Sequence, residues 1–227
     1  MVWPTTLSEL IRAPSILIIG AGGHAQVVAD ILLRSREAGD SCTPLGFLDD
    51  DPELVGQEIL GIPVVGAISE LSSFDHDAAL VAIGDNRRRA EIFDHLVEHG
   101  NLMAAAIHPA AVVAPDVTLG NGVMICAGVV VNTGAVVGDD VILNTGCTVD
   151  HHCRIGAHSH IAPGVHLGGN VNVGEGVLVG IGALVIPHRS VGDWAVVGAG
   201  AVVTRSFPAH ATVVGVPAKE AGGQDGG

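Results

Sequence analysis

The stretch NTGCTVDHHCRIG, residues 144–156, sets His151 and His152 side by side, and His158, His160 and His166 follow closely. Imidazole has an ordinary pKa near neutrality, so a histidine can take a proton from a reacting group at physiological pH or, when neutral, ligate zinc. A lone histidine among aliphatic residues is usually a satisfied structural residue. Five in one short stretch need a reason, which depends on what repeats around them and which side chains are turned outward.

From Ile107 to Val203 the chain divides into hexads, and the first residue of all 17 is Ile, Val or Leu. The fifth residue is mostly Ala, Val, Ser or Cys and the second is often Gly, with Arg189 and Phe207 departing at the fifth position near the end. A period of six matches neither an amphipathic helix nor a sandwich strand; it is the signature of a parallel β-helix. Each hexad forms one short face and three complete a triangular coil. The first residue points at the axis and stacks on the residue one coil away, and the small fifth residue also points inward. The repeat makes roughly six coils spaced about 4.8 Å apart, the strand spacing. In this register His151 is a third-position residue and His152, His158 and His188 are fourth-position residues, all at outward-facing corners. Cys147 and Cys153 fall at fifth positions and point inward, as inert packing rather than nucleophiles. His158 and His166 are read as structural.

Residues 16–105 read differently. SILIIG, PLGFLDDD and AALVAIGD are strands, with helices at AGGHAQVVADILLRSREAG and NRRRAEIFDHLVEHG. Alternating strands and helices give a parallel sheet. Gly20, Gly22 and Ala25 fit G-x-G-x-x-G/A between a strand and a helix, and Asp49 and Asp50 follow about one βαβ unit later. So short a segment builds half of a doubly wound domain, which suits one nucleoside diphosphate rather than a dinucleotide. His24 at the helix start can meet a phosphate beside free N–H groups. Asn86 and Arg87 follow a later strand, on the ligand-facing edge.

The fold class is therefore α/β plus β. Residues 1–15 are an N-terminal extension with a short helix at LSELIRA, and 16–106 a Rossmann-like domain. Residues 107–208 are the β-helix, and 209–227 a C-terminal segment ending in a flexible GGQDGG tail. A formal charge of −14 excludes nucleic acid as a partner, because no basic face is available to displace counterions. The sequence has no apolar run long enough for a membrane span and no signal peptide. The four cysteines, Cys42, Cys126, Cys147 and Cys153, have no framework spacing and read as reduced thiols of a cytoplasmic protein.

A small domain with GAGGHA and FLDD, followed by hexads with NTGCTVDHHCRIGAHSHIAPG and a terminal VVGVPAK, resembles the nucleotide-sugar N-acetyltransferases. These include the bacillosamine and perosamine pathway enzymes and the related sialic acid O-acetyltransferases. The resemblance covers about residues 16–219. It implies a left-handed β-helix, acetyl-CoA as co-substrate, a nucleotide-linked amino sugar as acceptor, and a homotrimer with sites between adjacent β-helices. It makes His151 the general base and matches Asn144 to an active-site asparagine. His160 contacts acetyl-CoA, which lies along the groove past Gly180, Ile181 and Ala199. The nucleotide end of acetyl-CoA points towards the C-terminal coils, where Arg189, Arg205 and Lys219 are the cations. Gly22, Gly23, His24, Asp49 and Asp50 hold the nucleotide sugar, joined by Asn86. The bacillosamine enzymes place an acid directly after the base, raising its basicity. Here His152 stands there, so Asp150 or an acid of a neighbouring subunit takes that part, with His152 in support.

The implied chemistry accounts for a histidine. An alkyl amine is mostly protonated at neutral pH and cannot attack a thioester until a base removes its proton, after which backbone N–H groups can hold the oxyanion. Three alternatives stay open: a zinc-dependent carbonic anhydrase on the same repeat, a nucleotide-sugar-binding protein without activity, and O-acetylation of a sugar hydroxyl. The sequence distinguishes neither UDP from GDP nor the sugar carbon that bears the amine, and no metal is expected.

Overall fold

The computed structural model of the chain describes residues 14–39 and 42–221. The helix expected at residues 7–13 and the tail at 222–227 lie outside the described residues.

The first domain contains β1 (Ser15–Ile19), α1 (Gly23–Glu37), β2 (Thr43–Leu48), β3 (Glu58–Ile59), β4 (Ile62–Gly66), β5 (Ala78–Val81) and α2 (Asn86–Glu98). The sheet order is β3-β4-β2-β1-β5, parallel apart from the short antiparallel edge strand β3. β1 lies between β2 and β5 and is buried along its whole length, as its continuous apolar run requires. The turn after β1 therefore opens at the carboxyl ends of the strands, where open α/β sheets bind ligands. Helix α1 begins at Gly22 without a side-chain cap and has no acid in its first turn, so its N-terminal N–H groups are available to an anion. Helix α2 is capped by Asp85, whose carboxylate accepts from the Arg88 backbone N–H at 2.8 Å.

The hexads fold as expected into three parallel sheets that share one axis. Successive coils pair in register: Ile142 beside His160 on the first face, Thr148 beside His166 on the second, Arg154 beside Asn172 on the third. First-position side chains are buried from Ile125 to Val203. Ile107 is the correction: it is 38% exposed, because the first coil has a coil on one side only. At the fifth position Cys147 and Cys153 are fully buried, and burial pushes the Cys147 thiol up to about 12. The solenoid runs past residue 208, since Thr212–Val214 pairs with Val196–Val197 and Lys219–Glu220 folds back on it.

The corners are tight turns whose fourth hexad residue takes a positive φ. Glycine fills many, including Gly134 and Gly146, but His152 (φ 59°), His158 (φ 60°) and His188 (φ 62°) adopt the same conformation. A side chain in this region costs roughly 1–2 kcal/mol. The corner histidines are therefore held against a local preference.

Candidate active site

A cavity of about 510 Å³ lies over the first turn of the α/β domain, lined by Gly22, Gly23, His24, Asp49, Asp50, Gly84 and Arg88 among others. Asp49 braces this turn: one carboxylate oxygen accepts from Ala21 N–H at 2.7 Å and the other from Asp51 N–H at 2.9 Å. Asp50 accepts from Ile68 N–H at 3.1 Å and lies 3.5 Å from the Arg88 guanidinium. A Cβ added at Gly22 or Gly23 would meet nothing within 4 Å, so these glycines leave open space at the helix start. His24 Nε2 is buried without a partner. Burial, assisted by the Arg89 charge, pulls the His24 pKa down to about 4, so at neutral pH the ring is uncharged.

His24 carries the cavity onto the β-helix, where its ring stands 6.2 Å from that of His160 on the first face. Burial first, then the charges of Arg89 and His24, pull His160 down to about 4, against a bond to the Gly84 backbone. Asn144 holds the other side of this ring, its amide nitrogen 3.1 Å from Nε2. His160 is thus held by Asn144 and by the Gly84 backbone, and its lowered pKa leaves the ring positioned rather than ready to take a proton near neutrality.

Beneath this pair the domains are joined by an ion cluster. Arg89 and Asp140 are both fully buried, with Nε 3.0 Å from the carboxylate. Arg89 also donates to the carbonyls of Ile83 and His158, at 3.1 and 2.6 Å, and to Asn86 Oδ1 at 3.0 Å. His158 Nδ1 lies 2.9 Å from the same Asp140 oxygen. Burial lowers the His158 pKa, but the hydrogen bond and charge of Asp140, with smaller pulls from Asp94 and Glu175, outweigh it and raise the value overall. His158 is a corner residue, yet it does not face solvent: helix α2 covers it, with Phe93 edge-on at 5.6 Å between ring centroids.

The remaining residues divide between corners. Asn144, Gly180, Ile181 and Ala199 line the corner between the first and second faces, beside His160; Ile181 is 62% exposed. His151 and His152 project from the next corner, between the second and third faces, and both are exposed. Their Nδ1 atoms are 3.1 Å apart. Asp150 Oδ1 accepts from the His151 backbone N–H at 2.7 Å and from Asn132 at 3.0 Å. Arg205 lies further along this same corner, packed over Phe207 at 5.1 Å. His166 sits on the second face, 2.8 Å from the Thr148 hydroxyl.

Of the residues expected at the nucleotide, Gly22, Gly23, His24, Asp49 and Asp50 come together. Asn86 does not line the cavity: its amide donates to the carbonyls of Gly176 and Val177 at 3.1 and 3.2 Å, tying α2 to the β-helix. Arg87 likewise points away, over Trp194 at 4.7 Å. Arg88, not singled out in the sequence, lines the cavity instead. The signal was there, since the buried face of α2 contains Arg89, Ala90, Ile92, Phe93 and Leu96, which puts Asn86, four before Ala90, on that side and Arg88, four before Ile92, at its margin. Among the described residues no group of three or more His, Cys, Asp or Glu could hold a metal ion, and no helix is long and apolar enough to cross a membrane.

A prism of hexapeptide coils with its polar chemistry at the corners is the architecture of the hexapeptide-repeat transferases, and residues 134–169 match the family described as bacterial transferase hexapeptide (six repeats). Residues 15–96 match the PglD N-terminal domain. The chain belongs to the PglD-type nucleotide-sugar N-acetyltransferases. The acetyltransferase domain of PglB from Neisseria gonorrhoeae, solved with acetyl coenzyme A, is 37% identical over 92% of this chain and 99% of its own, with a TM-score of 0.86. PerB from Caulobacter crescentus, solved with CoA and GDP-perosamine, is 43% identical over 92% of this chain and 97% of its own, with a TM-score of 0.84. WeeI from Acinetobacter baumannii is 28% identical over 91% of this chain and 99% of its own, with a TM-score of 0.78. No curated protein matches the sequence.

Proposed function

We infer that the chain transfers the acetyl group of acetyl-CoA to the amine of a nucleotide-linked amino sugar. The observation that carries this reading is the continuity from the nucleotide cavity to the β-helix: the orphaned Nε2 of His24 lies between the free N–H groups of α1 and the His160–Asn144 pair. A diphosphate fits the helix start, beside Gly22, Gly23 and Arg88. The sugar then extends past His24 towards the first corner.

In the mechanism His151 removes a proton from the sugar ammonium, and the freed amine attacks the thioester carbonyl. The C–N bond forms, backbone N–H groups hold the oxyanion, and the C–S bond breaks to release the thiolate. His160 and Asn144 position acetyl-CoA, which runs along the corner of Gly180, Ile181 and Ala199. The small backbone and the exposed Ile181 side chain there offer an apolar ledge to its pantetheine arm.

We further propose a homotrimer. In one chain His151 and the acetyl-CoA ledge occupy different corners, so a complete site needs the base corner of one β-helix set against the ledge of its neighbour. The second face supports this packing: its outward residues include Val112, 63% exposed, and Leu184, 40% exposed. An apolar face of this kind seeks cover. On this arrangement Arg205, on the corner of His151, lies towards the nucleotide end of a neighbour's acetyl-CoA. The reaction belongs to the cytoplasm.

The test is acetyl-CoA turnover with a panel of UDP- and GDP-linked amino sugars and matched hydroxyl sugars, with and without a chelator. Turnover confined to amino sugars and indifferent to the chelator is expected. Acetylation of the hydroxyl sugars instead, or binding without turnover, would sink the reading.

A further inference from the structure

The contact between His151 and His152 fixes more than their proximity. Nδ1 atoms 3.1 Å apart bond only if one carries the proton and the other a lone pair. If His152 donates, His151 carries its own proton on the outward Nε2 and cannot act as a base there. If His151 donates, its Nε2 has a free lone pair and His152 carries a proton on its far nitrogen. What that far nitrogen faces decides between the two tautomers.

The His152 ring leans over Gly134, one coil below: a Cβ built on Gly134 would lie 3.1 Å from His152 Nε2. The same glycine donates its N–H to Asp116 Oδ2 at 3.0 Å, and Thr133 donates its hydroxyl to that oxygen at 2.6 Å. Asp116, Gly134 and His152 thus form one column along the corner. The Thr133 bond most strongly holds the Asp116 carboxyl below its ordinary range, with a smaller pull from His152. The other charged group at the pair is Asp150, engaged by the His151 N–H and by Asn132. From the coil above, Gly169 faces the His151 ring and brings no charge.

We propose that His152 and Asp116 are positioning residues that select the reactive tautomer of His151. An anion across Gly134 favours the proton, not the lone pair, on His152 Nε2. His152 Nδ1 then accepts from His151 Nδ1–H, and His151 presents a bare Nε2. When Nε2 takes the amine proton, the imidazolium shares its charge through the Nδ1–Nδ1 bond with a ring closer to Asp116. Loss of the His152 acceptor would leave His151 free to adopt the unreactive tautomer, so the two rings act as one unit.

The proposal rests on His151 being the base, and the experiment separates the two claims. The pH dependence of kcat is measured for wild type, His151→Ala, His152→Ala, His152→Asp and Asp116→Asn. His152→Ala is expected to lower the kcat plateau by about tenfold, a part of the 10²–10⁴ of a general base, and to move the ascending limb to lower pH. His152→Asp restores the plateau and moves the limb to higher pH, because a carboxylate can hold the same proton. Asp116→Asn keeps an acceptor for Gly134 and moves the limb in the direction of His152→Ala, by less. An unmoved limb in both His152→Ala and Asp116→Asn overturns the proposal, and a limb moved only in the former removes Asp116 from it. Full activity in His151→Ala would instead defeat the base assignment itself.

Discussion

Two histidine pairs sit close to the proposed reaction, in opposite surroundings. His24 and His160 meet at the domain junction, where burial and Arg89 pull both down to about 4. His151 and His152 meet at an open corner, bonded to each other. Both pairs flank the proposed substrate path, and in the proposed mechanism only the exposed one cycles a proton. A ring held neutral by burial can donate or accept a hydrogen bond but is a poor proton acceptor near neutrality. Here residue type says little about role, and surroundings assign it.

The sharpest way to break this comparison is to exchange the roles. His151→Ala is expected to lower kcat by about 10²–10⁴ with little change in either KM. His160→Ala should act chiefly on the KM for acetyl-CoA; steady-state kinetics on both would overturn the division if the effects came out reversed.

The junction pair depends on the ion cluster beneath it. Arg89→Met leaves Asp140 buried without its cation, at a cost of about 3–5 kcal/mol read by chemical denaturation. A loss below 1 kcal/mol would show that the cluster is not what joins the domains.

Binding at the junction can be separated from folding at Gly23. Gly23→Val adds a side chain whose Cβ meets nothing within 4 Å, so the fold is expected to tolerate it while the branched carbons fill the cavity. Calorimetry should show at least a tenfold weaker nucleotide sugar, about 1.4 kcal/mol, with acetyl-CoA binding and melting temperature unchanged. Parallel loss of both ligands would refute the assignment.

The junction pair also predicts a pH dependence of stability. The folded-state values of His24 and His160 lie below those of the unfolded chain, so the unfolded state binds more protons as the pH falls from 6.5 towards about 4. Stability from this pair is full above that window and declines through it. His158 has the opposite sign: its raised value adds stability below 6.5 that is lost as pH rises through the folded value. Denaturation midpoints for wild type and His24→Gln across the acid window check this; an equal slope in both would count against His24.

The smallest effect is expected at Arg205, on the open corner. Arg205→Gln should raise the KM for acetyl-CoA a few-fold, more at low salt than at high, as for an exposed charge.

The hexads were legible because every coil repeats one inward pattern, so a single period set face, corner and core for the whole β-helix. The glycine turn and the paired aspartates were legible as a local motif. The junction was not. Arg89, Asp140 and His158 are far apart in sequence, and two of them occupy corner positions that would face solvent in an isolated prism. Only the docking of α2 buries them. Arg88 took the place expected of Asn86 for a related reason, since a helix turns about 100° per residue and its buried side decides which neighbour faces the cavity.

The division of the site between two corners has a consequence for mixtures. In the proposed ring each subunit lends its base to one neighbour and takes a base from the other. At acetyl-CoA concentrations well below saturation, chains altered at His151 and chains altered at His160 would each turn over little alone. Assembled together at random, roughly a quarter of their sites would join an intact base corner to an intact ledge, and that fraction of activity would return. Were both halves of a site drawn from one chain, no mixing ratio would recover any.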